Sequence, residues 1–150
     1  MNIRYALIAL ILMSSCHIKA QTPEEHITQF FKEYASEGAG KALDNLYATN
    51  PWISQSGDAV INLKNNLNSL TKELVGSYVG KELIVKRTIG ESYVLYSYMV
   101  KYERQPFRFT FQYYKPRDNW MIFGFFFDDQ LDDELEESAK LQMIKSTYNH

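Results

Sequence analysis

The 150-residue chain has one cysteine and three histidines, and these shortages exclude several kinds of site. One cysteine cannot form an intramolecular disulfide or a cysteine-rich metal centre. Because His17 lies near the start and His150 ends the chain, only His26 falls inside the region predicted to fold, where we place it at the surface. We therefore expect no Ser-His-Asp or Cys-His catalytic set, no metal site and no cofactor.

Strong charge and phosphate-binding loops are also missing. The formal net charge is −2 and the basic residues are scattered, so we expect no binding of nucleic acid. The segment GAGKA, from Gly38 to Ala42, lacks the spacing and the preceding strand of a P-loop. The acidic run from Asp128 to Glu137 lacks the ligand spacing and the glycine of an EF-hand, so we interpret it as a solvated helix surface.

Residues 1–20 have the layout of an export signal. Arg4 is followed by the apolar run YALIALILM and then by small and polar residues, and the run is too short for a stable membrane span. We predict cleavage after Ala20, which leaves Gln21 first and sends the protein to the periplasm or the exterior. The alternatives are a lipoprotein anchored at Cys16, since LMSSC resembles a lipobox, and a buried N-terminal helix. We expect no membrane association unless Cys16 is lipidated.

Three helices are predicted at the start of the folded part. The first begins with TPEE, in which Thr22 is the N-cap, Pro23 occupies the first helical position and Glu25 completes a capping box. Asp58 is the expected N-cap of the third helix. Apolar residues recur at steps of three and four in each helix. The predicted faces are Ile27, Phe30, Phe31, Tyr34 and Ala35; Ala42, Leu43, Leu46 and Tyr47; and Val60, Leu63, Leu67, Leu70 and Leu74.

From Tyr78 onward the apolar period changes to two, which predicts an antiparallel meander of four strands. A short turn at ERQP pairs Tyr102 with Phe107, and the turn at PRDN places Ile122 beside Tyr113. Unbroken alternation would then point Phe125 and Phe127 away from the core. A β-bulge at Phe123 and Gly124, with the glycine at positive φ, restores them to the core face with Trp120 and Ile122.

The predicted fold is therefore α+β, with N-terminal helices packed on a strongly curved antiparallel sheet, a cone. Residues 21–150 are expected to form a single domain. A C-terminal helix at about 129–147 carries a stripe of Leu131, Leu135, Ala139 and Met143.

Three segments resemble the nuclear-transport-factor-two-like superfamily. They are FFKEYASEGAGKALDNLYATNPW, the strand series from Tyr78, and YYKPRDNWMIFGFFFDD, with a Lys-Pro turn before a strand led by Trp. The resemblance implies a site in the mouth and interior of the cone. It does not fix the function, because the superfamily contains isomerases, dehydratases, cyclases and non-enzymes that bind a ligand or a partner.

Aromatic residues on the predicted core face are the candidate ligand pocket, which comprises Tyr34, Tyr96, Tyr98, Tyr113 and Trp120. The central strands carry no Asp or Glu that could serve as a base. We therefore predict a non-catalytic domain that binds a small apolar or aromatic ligand, or a protein partner. The alternatives are a cofactor-independent lyase or isomerase acting in the cone, and an interaction protein whose cone is filled by these aromatic residues.

The opposite face of the sheet has a mixed composition that suits a protein interface. It carries Leu95, Ser97, Met99, Lys101, Arg108, Thr110, Gln112 and Tyr114. We predict a homodimer through this outer face, with the C-terminal helix folding over it as the competing outcome.

Overall fold

The computed structural model describes residues 20–55 and 57–148, without the side chains of residues 142 and 145–148. The predicted signal peptide, including Cys16, lies outside the described residues except for Ala20. The elements in chain order are α1 (Pro23–Ser36), α2 (Ala39–Tyr47), α3 (Asp58–Asn68), α4 (Lys72–Val75), β1 (Tyr78–Ile89), β2 (Tyr93–Tyr102), β3 (Pro106–Tyr114), β4 (Met121–Asp128) and α5 (Leu131–Tyr148). This order of helices, curved antiparallel sheet and C-terminal helix confirms the predicted fold class.

Helix α1 begins with the predicted capping box. The Thr22 side chain accepts a hydrogen bond from the Glu25 backbone at 3.2 Å, and the Glu25 carboxylate accepts one from the Thr22 backbone at 2.7 Å. The prediction for Ala35 is wrong, because this residue is exposed. Glu33 is buried instead, since that side of α1 packs against α2 rather than against the sheet.

The third predicted helix is divided in two. Helix α3 ends at Asn68, and α4 is a separate turn in which Leu74 is exposed. The N-cap of α3 is Gly57 rather than Asp58. The break follows from local polar chemistry, because the Ser69 hydroxyl donates to the Asn66 carbonyl at 2.6 Å and competes with the helical pattern.

The sheet is a meander in the order β1-β2-β3-β4. In the β2–β3 pair, Phe107 lies opposite Val100, so the predicted pairing with Tyr102 is wrong by two residues. The chain after Tyr102 is held instead by the end of α4, where the Arg104 backbone donates to the Val75 carbonyl at 3.0 Å. Because side chains alternate with a period of two, this shift leaves the predicted core face unchanged.

The predicted bulge in β4 is confirmed. Tyr113 pairs with Ile122 and Gln112 with Gly124, which leaves Phe123 as the extra residue. The prediction of a positive φ at Gly124 is wrong, because the backbone of this glycine does not have a positive φ. A side chain is disfavoured there by crowding, since an added Cβ would lie 2.9 Å from the Gln112 amide oxygen and 2.9 Å from the Phe126 ring.

Phenylalanine rings fill the space between α1 and the concave face of the sheet. The ring centroid of Phe30 lies 5.1 Å from that of Phe111 and 5.3 Å from that of Phe125. Phe31 and Phe109 extend the cluster, with ring centroids 6.1 Å apart. This packing occupies the space between α1 and the sheet, and the cavities described below lie beside it.

Helix α5 lies against part of the outer face. Arg108 on β3 donates to Asp128 at 3.0 Å and to Glu134 on α5 at 3.1 Å. Ser97, at the middle of this face, is only 2% exposed. The predicted stripe on α5 is not the buried side, because Leu135 and Met143 are 69% and 70% exposed. None of the helices in the described part of the chain combines the length and apolar character needed to cross a lipid bilayer.

Candidate functional site

The five residues of the predicted ligand pocket are distributed over helix α1 and the concave side of the sheet. Tyr96 and Trp120 line one cavity together, at the N-terminal end of α1. Tyr34 lines a different cavity, at the other end of that helix. Tyr113 is fully buried, and Tyr98 packs its ring against Phe31. The structure therefore brings two of the five residues together and places the others elsewhere.

The cavity that contains Tyr96 and Trp120 is here called the mouth pocket, with a volume of about 190 Å³. The first turn of α1 supplies Glu24, and β1 supplies Lys86, which pairs directly with Tyr96 across the β1–β2 ladder. One oxygen of Glu24 accepts a hydrogen bond from the Tyr96 hydroxyl and another from the Lys86 ammonium, the latter at 2.7 Å. The Lys86 nitrogen also lies 5.0 Å from the centroid of the Tyr96 ring.

These contacts set the protonation states in the mouth pocket. Burial raises the pKa of Glu24, but the hydrogen bonds from Lys86 and Tyr96 outweigh it and leave the pKa below its usual value. The hydrogen bond to Glu24 raises the pKa of Lys86. Burial, followed by the bond to Glu24, raises the pKa of Tyr96 to about 12. At neutral pH the pocket therefore holds a carboxylate, an ammonium and a neutral phenol.

A second cavity, of about 290 Å³, lies where α1 ends and is lined by Tyr34, Tyr78 and Tyr102. The hydroxyls of Tyr34 and Tyr102 form a hydrogen bond, and burial raises the pKa of both phenols. The ring of Tyr78 meets each of the other two edge-on. These phenols are neutral, and the residues that line this cavity include no Asp or Glu.

A third cavity lies between α1 and α2 and is here called the helix cavity, with a volume of about 340 Å³. One oxygen of Glu33 accepts hydrogen bonds from the side-chain amides of Gln29 and Asn45, each at 2.6 Å. The other oxygen is buried and has no hydrogen-bond partner among the described residues, as is the case for His26 Nδ1. Both residues line this cavity.

His26 is half-buried, so its predicted surface position is wrong. Its ring stacks on Tyr113, with the centroids 5.7 Å apart. Burial lowers the pKa of His26, against the opposing effect of the neighbouring Glu25 charge. The imidazole is therefore mostly neutral at neutral pH.

The sequence interpretation missed both carboxylates of these cavities because it searched only the strands. Glu24 and Glu33 lie on α1, of which the sequence interpretation considered only the apolar face. A signal was present for Glu33, which follows Gln29 by four residues and stands beside Phe30 and Tyr34 on the helix surface. Glu24 gave no such signal, since acidic residues in a first helical turn are usual.

The two cavities that contain a carboxylate differ in the groups that they present. The mouth pocket combines an aromatic wall with an ion pair, and the helix cavity combines a buried carboxylate with an imidazole. No protein-family model matches the chain, and no curated protein or solved structure is similar enough to it to count as a match.

Proposed function

We propose that the protein is an exported, non-catalytic domain that binds a small aromatic ligand in the mouth pocket. The observation that carries this proposal is the joint placement of Tyr96 and Trp120 beside the Glu24–Lys86 pair, at the edge of a filled aromatic core. A concave, mostly apolar site with a few convergent polar groups is the usual form of a small-molecule site.

The dimensions of the mouth pocket limit the ligand. A volume of about 190 Å³ is smaller than most sites for drug-sized molecules and suits one or two rings. The ring faces of Tyr96 and Trp120 favour an aromatic ligand through stacked or edge-on contacts. The Glu24–Lys86 pair at the rim provides both an acceptor and a donor for a single polar substituent.

Protonation argues against the lyase or isomerase alternative. A general base works best when its pKa lies near the working pH. The pKa of Glu24 is lowered, away from neutral pH. One of its oxygens already accepts two hydrogen bonds. Abstracting a substrate proton would require breaking the contacts that keep this carboxylate ionised. We therefore assign Glu24 to ligand orientation rather than to proton transfer.

Nuclear magnetic resonance provides a direct test of the mouth pocket. Titrating labelled protein with p-cresol should shift the indole N–H signal of Trp120 and leave that of Trp52, which is 85% exposed, unchanged. Cyclohexanol, which is similar in size to p-cresol but not aromatic, should shift the Trp120 signal less. Tyr96→Ala should abolish the response, whereas Tyr114→Ala, on the outer face, should retain it. Equal responses of the two tryptophans, or an unaltered titration in Tyr96→Ala, would exclude this site.

Export through the predicted signal peptide is also part of the proposal. The capping box at Thr22 supports a folded domain that begins just after the proposed cleavage position. Mass spectrometry of the mature protein should find Gln21 at the N terminus, and a diacylglyceryl group on Cys16 would show the lipoprotein route instead.

The order of helices and curved sheet supports kinship with the nuclear-transport-factor-two-like superfamily, and an experimental structure with a different strand order would contradict it.

A further inference from the structure

The helix cavity presents a carboxylate oxygen that the described part of the chain leaves unsatisfied. Glu33 is 5% exposed, and both amide donors near it, from Gln29 and Asn45, point at the same oxygen. The second oxygen is buried, and none of the described residues forms a hydrogen bond with it. Of the ion pairs that the described residues form, none includes Glu33.

Such an arrangement is unfavourable unless a group other than the described residues completes it. Removing a carboxylate from water is costly, and buried charges in proteins are normally paired or coordinated. The two amides supply hydrogen bonds but no compensating positive charge. The missing complement is therefore a cation that can donate a hydrogen bond to the free oxygen of Glu33.

The other residues that line the helix cavity indicate which kind of ligand carries that cationic group. The volume of about 340 Å³ exceeds that of a water molecule or a bare ion, and Phe30 and Leu46 provide apolar walls. His26 lies seven residues before Glu33 on the same helix, a rise of about 10 Å along the axis. The Nδ1 atom of His26 is also buried and accepts no hydrogen bond from the described part of the chain. A ligand with an apolar chain and a second polar group would therefore reach both ends.

We propose that the helix cavity is a second binding site, which takes a small organic ammonium compound with its charged group on Glu33 and a second hydrogen-bonding group on His26. The proposal is independent of the mouth pocket, because the two cavities share no lining residue. An alkyl diamine has the required chemistry, with an ammonium at each end and methylene groups between them.

Isothermal titration calorimetry with 1,5-diaminopentane tests the site, and 1,5-pentanediol is the matched uncharged ligand. We expect the diamine to bind at least about tenfold more tightly than the diol, since only the diamine compensates the charge of Glu33. Glu33→Gln should remove this preference, whereas Glu37→Gln, an exposed carboxylate just beyond the same helix, should keep it. Tyr96→Ala should also keep it, which separates this site from the mouth pocket.

A second variant covers the case in which Glu33→Gln fails to fold. Ala48 is exposed at the rim of the helix cavity, so Ala48→Trp should block the cavity without disturbing the core. The diamine should then bind at least about tenfold more weakly than to the unmodified protein. Equal affinity for diamine and diol, binding that survives Glu33→Gln, or a crystal structure with saturating diamine that shows only water on Glu33 would each overturn the proposal.

Discussion

The hydroxyl of Tyr96 donates a hydrogen bond to the carboxylate of Glu24, which joins the middle of the sheet to the first turn of α1. The two residues are 72 positions apart in the sequence. This contact forms one side of the mouth pocket and links the start of α1 to β2. It therefore serves both the stability of the fold and the shape of the proposed site.

Removing that hydroxyl should weaken the fold slightly. Hydrogen bonds to charged groups contribute up to about 3 kcal/mol, but the Glu24 side chain is 49% exposed and keeps its bond to Lys86. We expect Tyr96→Phe to lower the free energy of unfolding by about 1 kcal/mol. Urea denaturation measures this difference. Tyr114→Phe is the control and should change stability by less than about 0.5 kcal/mol.

Gly124 in the bulge should tolerate no larger side chain. An added Cβ would lie 2.9 Å from the Gln112 amide oxygen and from the Phe126 ring, both of which would have to move. Because these are side chains rather than backbone, we expect Gly124→Val to cost about 1–3 kcal/mol in unfolding free energy, as overpacking does. Thermal melting followed by circular dichroism is the measurement.

A glycine in an uncrowded helix provides the matched control for Gly124. A Cβ added to Gly40 in α2 would meet only the Asn68 side chain, at 4.0 Å. Gly40→Ala should therefore raise stability by up to about 1 kcal/mol. If both substitutions shift the melting temperature in the same direction, the crowding argument for the bulge is wrong.

The neutral His26 should make folding stability depend on pH. Burial lowers its pKa below the value of 6.5 expected for the unfolded chain, so the unfolded state binds the proton more readily. The stability contributed by neutral His26 is complete above pH 6.5 and decreases as the pH falls below it. The neighbouring Glu25 charge opposes this loss, because it favours the charged imidazole.

Melting temperatures measured between pH 5.5 and 7.5 test the role of His26. The unmodified protein should melt at a lower temperature at pH 5.5 than at pH 7.5. His26→Phe keeps a ring against Tyr113 and removes the titrating group, so its melting temperature should vary less over the same range. A slope that is identical in the two proteins would assign the effect to other groups.

An apolar patch on the outer face should support the proposed homodimer. Three aromatic residues there are exposed, namely Tyr114 at 38%, Phe123 at 59% and Phe126 at 54%. Helix α5 contacts the outer face at Arg108, and the three aromatic residues stay exposed in its presence. We expect analytical ultracentrifugation to show a dimer, because contiguous exposed apolar surface often marks an interface.

Charge on the patch should dissociate that dimer. The double variant Phe123→Asp and Phe126→Lys should give a folded monomer, with an unchanged circular dichroism spectrum. Leu74→Lys replaces an exposed apolar residue elsewhere, 57% exposed on α4, and should leave the dimer intact. A monomer at high concentration in the unmodified protein would rule out this interface.

Local patterns alone predicted much of this architecture. The capping box at Thr22, the change of period at Tyr78 and the bulge at Phe123 each follow from interactions between residues near in sequence. Strand alternation also kept Phe107 on the correct face although its partner was misassigned by two residues. Short-range steric and hydrogen-bonding preferences are properties of the sequence itself, so such features can be read without the fold.

The candidate sites were decided only by tertiary structure. Glu24 meets Tyr96, and Glu33 meets Asn45, through contacts that depend on how α1 sits against the sheet and against α2. The burial of Glu33 and His26 likewise depends on that packing, because both belong to a helix side that looks polar in the sequence. Burial and charge pairing are set by which distant surfaces come together, and helical periodicity alone does not specify the partner of a helix's second face.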